Sequence, residues 1–356
     1  MLEQMITIDN LLNIYETEIV KNVKNKKKLY QFEKNKMANL LMIKEILILK
    51  AYDGGRYNLF LITKPKLRLI MSQNISDKII NHFVTRYVLE PNLTKFLINN
   101  NTATRKNMGT SYALKMFKTF LEKNKPHKNI YVLKFDLEKY FYSIDHDVLK
   151  QMLKDKLTPE EFTLIEKIID STNKEYIKKY INRVNKLNGN LIPEYKTGKG
   201  IPIGNLTSQF LAIFYLSDVH KYIVEVLKLE YMICYMDDYV IVHQDKNYLK
   251  KCLSLIETKL DKEYKLKLNK NKTHIKNIKE GIMFLGYNFR VINKKTIIKL
   301  SKESKSKIKK NLKTLKYQSK TKKINHEKEF STIMNYKNSF KFISRYEINK
   351  IIDKLW

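Results

Sequence analysis

Residues 231–243 read Tyr-Met-Ile-Cys-Tyr-Met-Asp-Asp-Tyr-Val-Ile-Val-His, two aromatic and β-branched flanks around an acidic pair. Such flanks favour strands, so the segment predicts a hairpin with Asp237 and Asp238 lifted to its tip. Adjacent carboxylates in that setting are costly without a counter-charge. A hard divalent cation with oxygen ligands suits them.

Working outward, Ile130 to Asp136 predicts a second strand. Its acidic residue stands near the C-terminal end, where sheet proteins commonly mount active-site side chains. Neighbouring strands lie about 4.8 Å apart, so Asp136 and Asp237 on adjacent strands could share two ions about 3.5 to 4 Å apart. Four of the nine glycines, Gly189, Gly198, Gly200 and Gly204, fall between these acidic segments. Their clustering predicts backbone that something must approach closely. Asn205-Leu-Thr-Ser-Gln209 then leads into a helix reaching about Leu229.

Composition narrows the function classes. The 356 residues are 43% hydrophobic and 11% aromatic, enough material for an ordinary core and unlike a disordered chain. Lys and Arg number 69 against 36 acids, a net charge of +33 that marks a binder of polyanions. Only seven of the 69 are Arg. Lys is a mobile point charge and not a bidentate fork, which favours phosphate backbone over base edges. Two cysteines and scattered histidines exclude a disulfide scaffold or a Cys-rich zinc site. No signal peptide or membrane span is expected, and a cytoplasmic location follows.

Elsewhere the pattern predicts helices over 8–50, a turn at Asp53-Gly-Gly55 and a strand from Tyr57 to Ile62. Lys64, Lys66 and Arg68 then cluster in β-like sequence, as a triphosphate site or as the guard of an edge strand. Ser76-Asp77 is expected to cap a helix ending at Pro91. Further helices are expected from Ser111 to Glu122, from Asp145 to Lys154 and after the capping box at Thr158, with 171–199 irregular. A helix over 247–263 and a hairpin over 281–289 follow. The tail 291–356 carries a net +14 around one apolar stripe, Ile308, Leu312 and Leu315.

Taken in order, these motifs resemble those of reverse transcriptases over most of the chain. Lys64-Pro-Lys66-x-Arg68 is similar to the segment that holds the incoming triphosphate. The run Phe135-Asp136 to Phe141 resembles the first palm motif, and Tyr235-Met-Asp-Asp238 the third. Leu268-Asn-x-x-Lys272-Thr resembles the segment behind it, and Phe284-Leu285-Gly286-Tyr287 the primer grip.

The resemblance implies an α+β right-hand polymerase with fingers, a palm of antiparallel sheet backed by helices, and a helical thumb. N-terminal helices and fingers would span 1–130, the palm 131–155 and 200–290, an insertion 156–199 and the basic thumb 291–356. It assigns Asp136, Asp237 and Asp238 to two Mg2+ ions, with Mn2+ as a substitute, and Lys272 to proton donation. Phe141 would exclude a ribose 2′-hydroxyl, beside substrate-binding Lys64, Lys66, Arg68, Ile203, Gly204 and Gln209.

Many family members carry Gln-Gly-x-x-x-Ser-Pro where this chain has Ile203-Gly204-Asn-Leu-Thr-Ser208-Gln209. That variant resembles bacterial diversity-generating retroelement and antiviral-defence enzymes. The implied partners are a template RNA, expected to be a dedicated non-coding RNA, its cDNA, dNTPs and an accessory protein subunit. A silent RNA-binding scaffold and a template-independent DNA polymerase are the alternatives.

Overall fold

The computed structural model describes residues 2–63, 66–189, 192–321, 324–339, 349 and 351–353. The chain forms two compact units and passes between them repeatedly. One comprises Met1–Thr104, Leu137–Lys228 and Leu253–Asn269, and the other Arg105–Asp136, Leu229–Cys252 and Lys270–Trp356.

The first unit is mainly helical and holds one hairpin. Its strands, β1 (Tyr57–Ile62) and β2 (Arg68–Gln73), pair antiparallel with Tyr57 opposite Gln73 and Ile62 opposite Arg68. Alternation in β2 buries Leu69, Met71 and Gln73 and leaves Arg68 exposed. Leu69 and Met71 pack with Ile177 and Ile181. Those isoleucines correct the expectation of irregular chain over 171–199, because Glu175–Asn188 is helical. The lysines that suggested loop occupy the outer side of an amphipathic helix.

A second correction concerns the helix after β2. It begins at Ile75, with the Asn74 side chain accepting from the Asp77 amide, so Asn74 is the cap and not Ser76-Asp77. It also runs past Pro91. A π-helical stretch, Val84–Leu89, leads into the segment Glu90–Leu93 that contains Pro91, and the backbone stays helical through Leu89 and Glu90.

The helix Ser217–Lys221 carries His220, fully buried, with burial pushing its pKa down to about 3 from the usual 6.5. The folded chain thus keeps this imidazole neutral where the unfolded chain protonates it, so stability is present above pH 6.5 and is lost as pH falls towards 3. At pH 5 the loss is about 2 kcal/mol. Urea unfolding at pH 7.5 and pH 5.0 should show that extra loss in the wild type and its absence in His220→Leu. Equal losses in both proteins would remove the neutral-histidine account.

The second unit contains both larger sheets. The first has the order β4 (Met232–Tyr235), β5 (Asp238–His243), β3 (Tyr131–Asp136), β6 (His274–Asn277), all antiparallel. The central strands β3 and β5 read as near-continuous apolar runs because neighbours cover both their faces. Phe135 stacks on Tyr239, its register partner, with ring centroids 4.4 Å apart. On the opposite face of the sheet, the helix Thr110–Asn124 lays Leu114, Phe117 and Leu121 into a core with Val132, Val240 and Val242.

The second sheet is β7 (Ile282–Phe284), β8 (Tyr287–Ile292) and β9 (Lys295–Leu300). Its inner face, with Phe284, Phe289 and Leu300, joins that core, as does the Ile308, Leu312 and Leu315 stripe of the helix Lys302–Lys320. The strand β9 lies in what the sequence suggested was a helical tail. It forms because Asn293 and Lys294 both take positive φ and turn the chain straight back.

The mixture of helices and antiparallel sheets is the expected α+β class. Among the described residues, no helix is long and apolar enough to cross a membrane.

Candidate active site

Residue pairing brings the acidic segments together. In the β3–β5 ladder Asp136 stands opposite Asp238, and Tyr235 pairs with Asp238 to close the β4–β5 hairpin. Asp237 therefore sits in the two-residue turn and not on a strand beside Asp136, which corrects the expected register. The turn is tight, with Met236 at φ +58°, a conformation rare for a residue with a bulky side chain. Strain of this kind persists where the surrounding structure over-determines it, and it collects at functional sites.

Charge in the cluster is unbalanced. Burial, then the neighbouring Asp136, pushes the Asp237 carboxyl up to about 6, with a smaller push from Asp238. Burial also raises Asp238, against the opposing pull of Lys134. Asp136 is buried and accepts from Lys272 Nζ at 2.6 Å, while the Lys272 side chain remains 53% exposed.

Sequence reading missed Lys134. It lies two residues before Asp136 and so shares its face of β3. Its ammonium donates to the carbonyl of Met283 in β7 at 2.6 Å and stands 3.2 Å from Asp238 Oδ1. The available signal was a lone cation inside an otherwise apolar central strand. Lys134→Met should destabilise the protein by about 3 kcal/mol, the scale for leaving one member of a buried ion pair unpaired. Asp238→Asn should recover part of that loss. A double-mutant cycle by chemical denaturation should give 1 to 3 kcal/mol of coupling, and additivity within about 0.5 kcal/mol would dissolve the strut.

The carboxylates of Asp136, Asp237 and Asp238 are the hard oxygen donors that a divalent ion takes. Among the described residues no group of three or more acidic, His or Cys side chains is placed to hold a metal ion. Magnesium does not require such a group, because it commonly binds through one or two carboxylates plus waters and substrate phosphates. The raised Asp237 carboxyl, with Asp136 and Asp238 beside it, is the kind of site that a cation relieves.

Of the other sequence-predicted residues, Lys66, Arg68, Phe141, Ile203, Gly204 and Gln209 belong to the first unit. Lys66 and Arg68 are exposed at the β1–β2 turn, and Lys64 lies outside the described residues. Phe141 is partly exposed and makes an edge-to-face contact with Tyr140 at 5.8 Å. Its carbonyl accepts from the Ile201 amide, while the Met71 amide donates to Ile203 O, so the loop ending at Gly204 ties β2 to the Phe141 segment. Gly204 has φ +130°, and a Cβ there would come within 2.9 Å of Met71 O. This close approach answers the glycine clustering. Ile203 and Gln209 are partly exposed, with Gln209 in the first turn of Leu206–Tyr215. Phe284 is fully buried in the second unit's core, and Leu285 and Gly286 form the turn that leads to Tyr287.

Residues 62–289 match the reverse transcriptase (RNA-dependent DNA polymerase) family pattern, more than half of the chain. The chain belongs to the reverse transcriptase family. As such it carries the nucleotidyltransferase domain of an RNA-dependent DNA polymerase. No curated protein matches the sequence. Among solved structures, apo telomerase from Candida tropicalis is similar at 15% identity and a TM-score of 0.50, over 84% of this chain and 56% of that one. Candida tropicalis telomerase with a fragment of telomeric RNA gives 14% identity and a TM-score of 0.50, over 85% and 52%. At such identities the likeness shows the fold alone, and the chain spans little more than half the length of these telomerases.

Proposed function

We propose that the chain copies RNA into DNA by two-metal nucleotidyl transfer. The observation carrying this reading is the register that sets Asp136 opposite Asp238 with Asp237 in the adjoining turn. Asp136 and Asp237 would hold two Mg2+ ions, with Mn2+ as a substitute and Asp238 in support; bound ions of this kind activate the attacking 3′-hydroxyl and support the leaving pyrophosphate oxygen.

The chain's own residues supply the rest. Lys272 keeps a proton at Nζ, 2.6 Å from Asp136, and delivers it to the leaving oxygen. Lys66 and Arg68, with Lys64, neutralise the triphosphate. The ring of Phe141 excludes a 2′-hydroxyl, and Ile203 in place of the customary glutamine removes a polar grip beside the nascent pair. Phe284 to Tyr287 hold the primer end. Residues 131–155 and 200–290 act as palm, 1–130 and 156–199 as fingers and insertion, and 291–356 as a thumb that reads hybrid backbone and shape.

The Ile203-Gly204 variant supports a cytoplasmic bacterial enzyme of the diversity-generating or phage-defence kind, working on a dedicated non-coding RNA with an accessory subunit. Primer extension on a homopolymer RNA template with Mg2+ or Mn2+ tests the chemistry. Template-dependent incorporation of dNTPs is expected. RNA binding without incorporation would leave a silent scaffold, and incorporation without template a terminal transferase. Neighbouring genes separate the two biological settings, since a target gene bearing a repeat of the template favours diversity generation.

A further inference from the structure

Three lysines from separate parts of the first unit converge on one aromatic ring. Lys95 Nζ is 5.4 Å from the Phe96 ring centroid, Lys156 Nζ 5.2 Å and Lys221 Nζ 5.4 Å. They come from the short helix Thr94–Phe96, the turn before Pro159–Ile169, and the end of Ser217–Lys221. The ring itself is partly exposed and anchored edge-on to Phe214 at 6.4 Å. Among the described residues, of the three ammonium groups only that of Lys156 has a hydrogen-bond acceptor, the Met152 carbonyl at 2.7 Å. Among the described residues none of the three is ion-paired with a carboxylate.

Electrostatics makes this arrangement incomplete. Since each ammonium lies within 5.4 Å of a common point, no two can be more than about 11 Å apart, roughly one screening length at ordinary salt. They repel one another. A ring quadrupole repays only about 0.5 to 1 kcal/mol per cation at an exposed site, and one ring is shared among three. An anion seated among them would turn the mutual repulsion into attraction. Lys heads are point charges, without the planar fork that selects carboxylates in a fixed pose, so spaced phosphates satisfy them better than a single acidic side chain.

We infer that Lys95, Lys156 and Lys221, gathered around Phe96, bind the phosphate backbone of single-stranded RNA at a site built entirely from first-unit residues. None of the four residues belongs to the nucleotidyl-transfer machinery proposed above. The inference takes RNA as the partner from that reading, but it is tested by binding and needs no polymerisation.

The experiment measures the affinity of the full-length chain for a labelled single-stranded RNA of about 30 nucleotides by fluorescence anisotropy, from about 50 to 400 mM KCl. On single strands each neutralised phosphate contributes about 0.7 to the slope of log K against log salt. The slope should therefore shrink by about 2 in the Lys95→Gln, Lys156→Gln, Lys221→Gln triple variant, and by about 0.7 in Lys221→Gln alone, which guards against a triple variant that does not fold. Extension of a short primer–template at low salt should stay within about twofold of wild type. An unchanged slope in either folded variant overturns the site. So does loss of affinity for a polyglutamate probe with the RNA slope intact, which would mark an acidic-protein contact. If extension fails in the wild type while the slopes behave as expected, the polymerase reading falls and this site stands.

Discussion

Asp237→Asn is expected to lower the rate of RNA-templated DNA synthesis by at least about a thousandfold while raising thermal stability in metal-free buffer. A thousandfold corresponds to about 4 kcal/mol of barrier, within the several kcal/mol of charge stabilisation that a bound ion contributes to phosphoryl transfer. The stability change has its own origin. Burial and the charge of nearby Asp136 push this carboxyl up to about 6 from 3.8. An acid whose folded pKa is raised stabilises the fold only below its unfolded pKa, and it loses that contribution as pH rises through the folded value. At pH 7.5 the ionised side chain consequently costs about 3 kcal/mol, which the isosteric amide removes. Calorimetry and primer extension on the same preparations decide the matter. A variant that loses activity and stability together would make Asp237 a structural residue, whereas near wild-type synthesis would end the two-metal assignment. Added Mg2+ should stabilise the wild type more than the variant, because only the former gains a ligand that balances its carboxylates.

Phe141→Val is expected to lower discrimination against ribonucleotides by about 10- to 200-fold with little change in dNTP turnover. The range is what one steric contact in a pocket can supply. The ring is partly exposed, and its position is held from the backbone by the Ile201 amide, so truncation leaves no core cavity. Single-nucleotide incorporation with dNTP and the matching rNTP, compared as kcat/KM, measures it. If the ratio stays within about twofold of wild type, the gate lies elsewhere and Phe141 is ordinary packing.

What the sequence made legible was chiefly local. The hairpin at 231–243 declares itself because its flanks are β-formers and its turn is short, and strand 131–136 because four of its six residues are apolar or aromatic. The Ile308, Leu312 and Leu315 stripe was visible for the same reason, since helical spacing needs no distant partner. Lys134 was not, because its partners Asp238 and Met283 lie 104 and 149 positions away. No window along the chain contains that relation. Helix Glu175–Asn188 was hidden by its surface lysines, although Ile177 and Ile181 at a spacing of four were the sign to follow. Strand β9 was lost because Lys-Thr-Ile-Ile-Lys-Leu, residues 295–300, merges into the basic composition around it.

The alternation of the chain between its two units bears on how it is made. Asp136 leaves the ribosome about a hundred residues before the Asp238 it faces, and the sheet that joins them also awaits β6 at His274–Asn277. Until then β3 is an apolar ribbon with both edges open, the kind of segment that pairs with whatever strand is near. The nascent protein thus passes through a long, unproductive interval in which aggregation competes with completion, and faster synthesis or a holding chaperone over that interval should raise the yield of active enzyme.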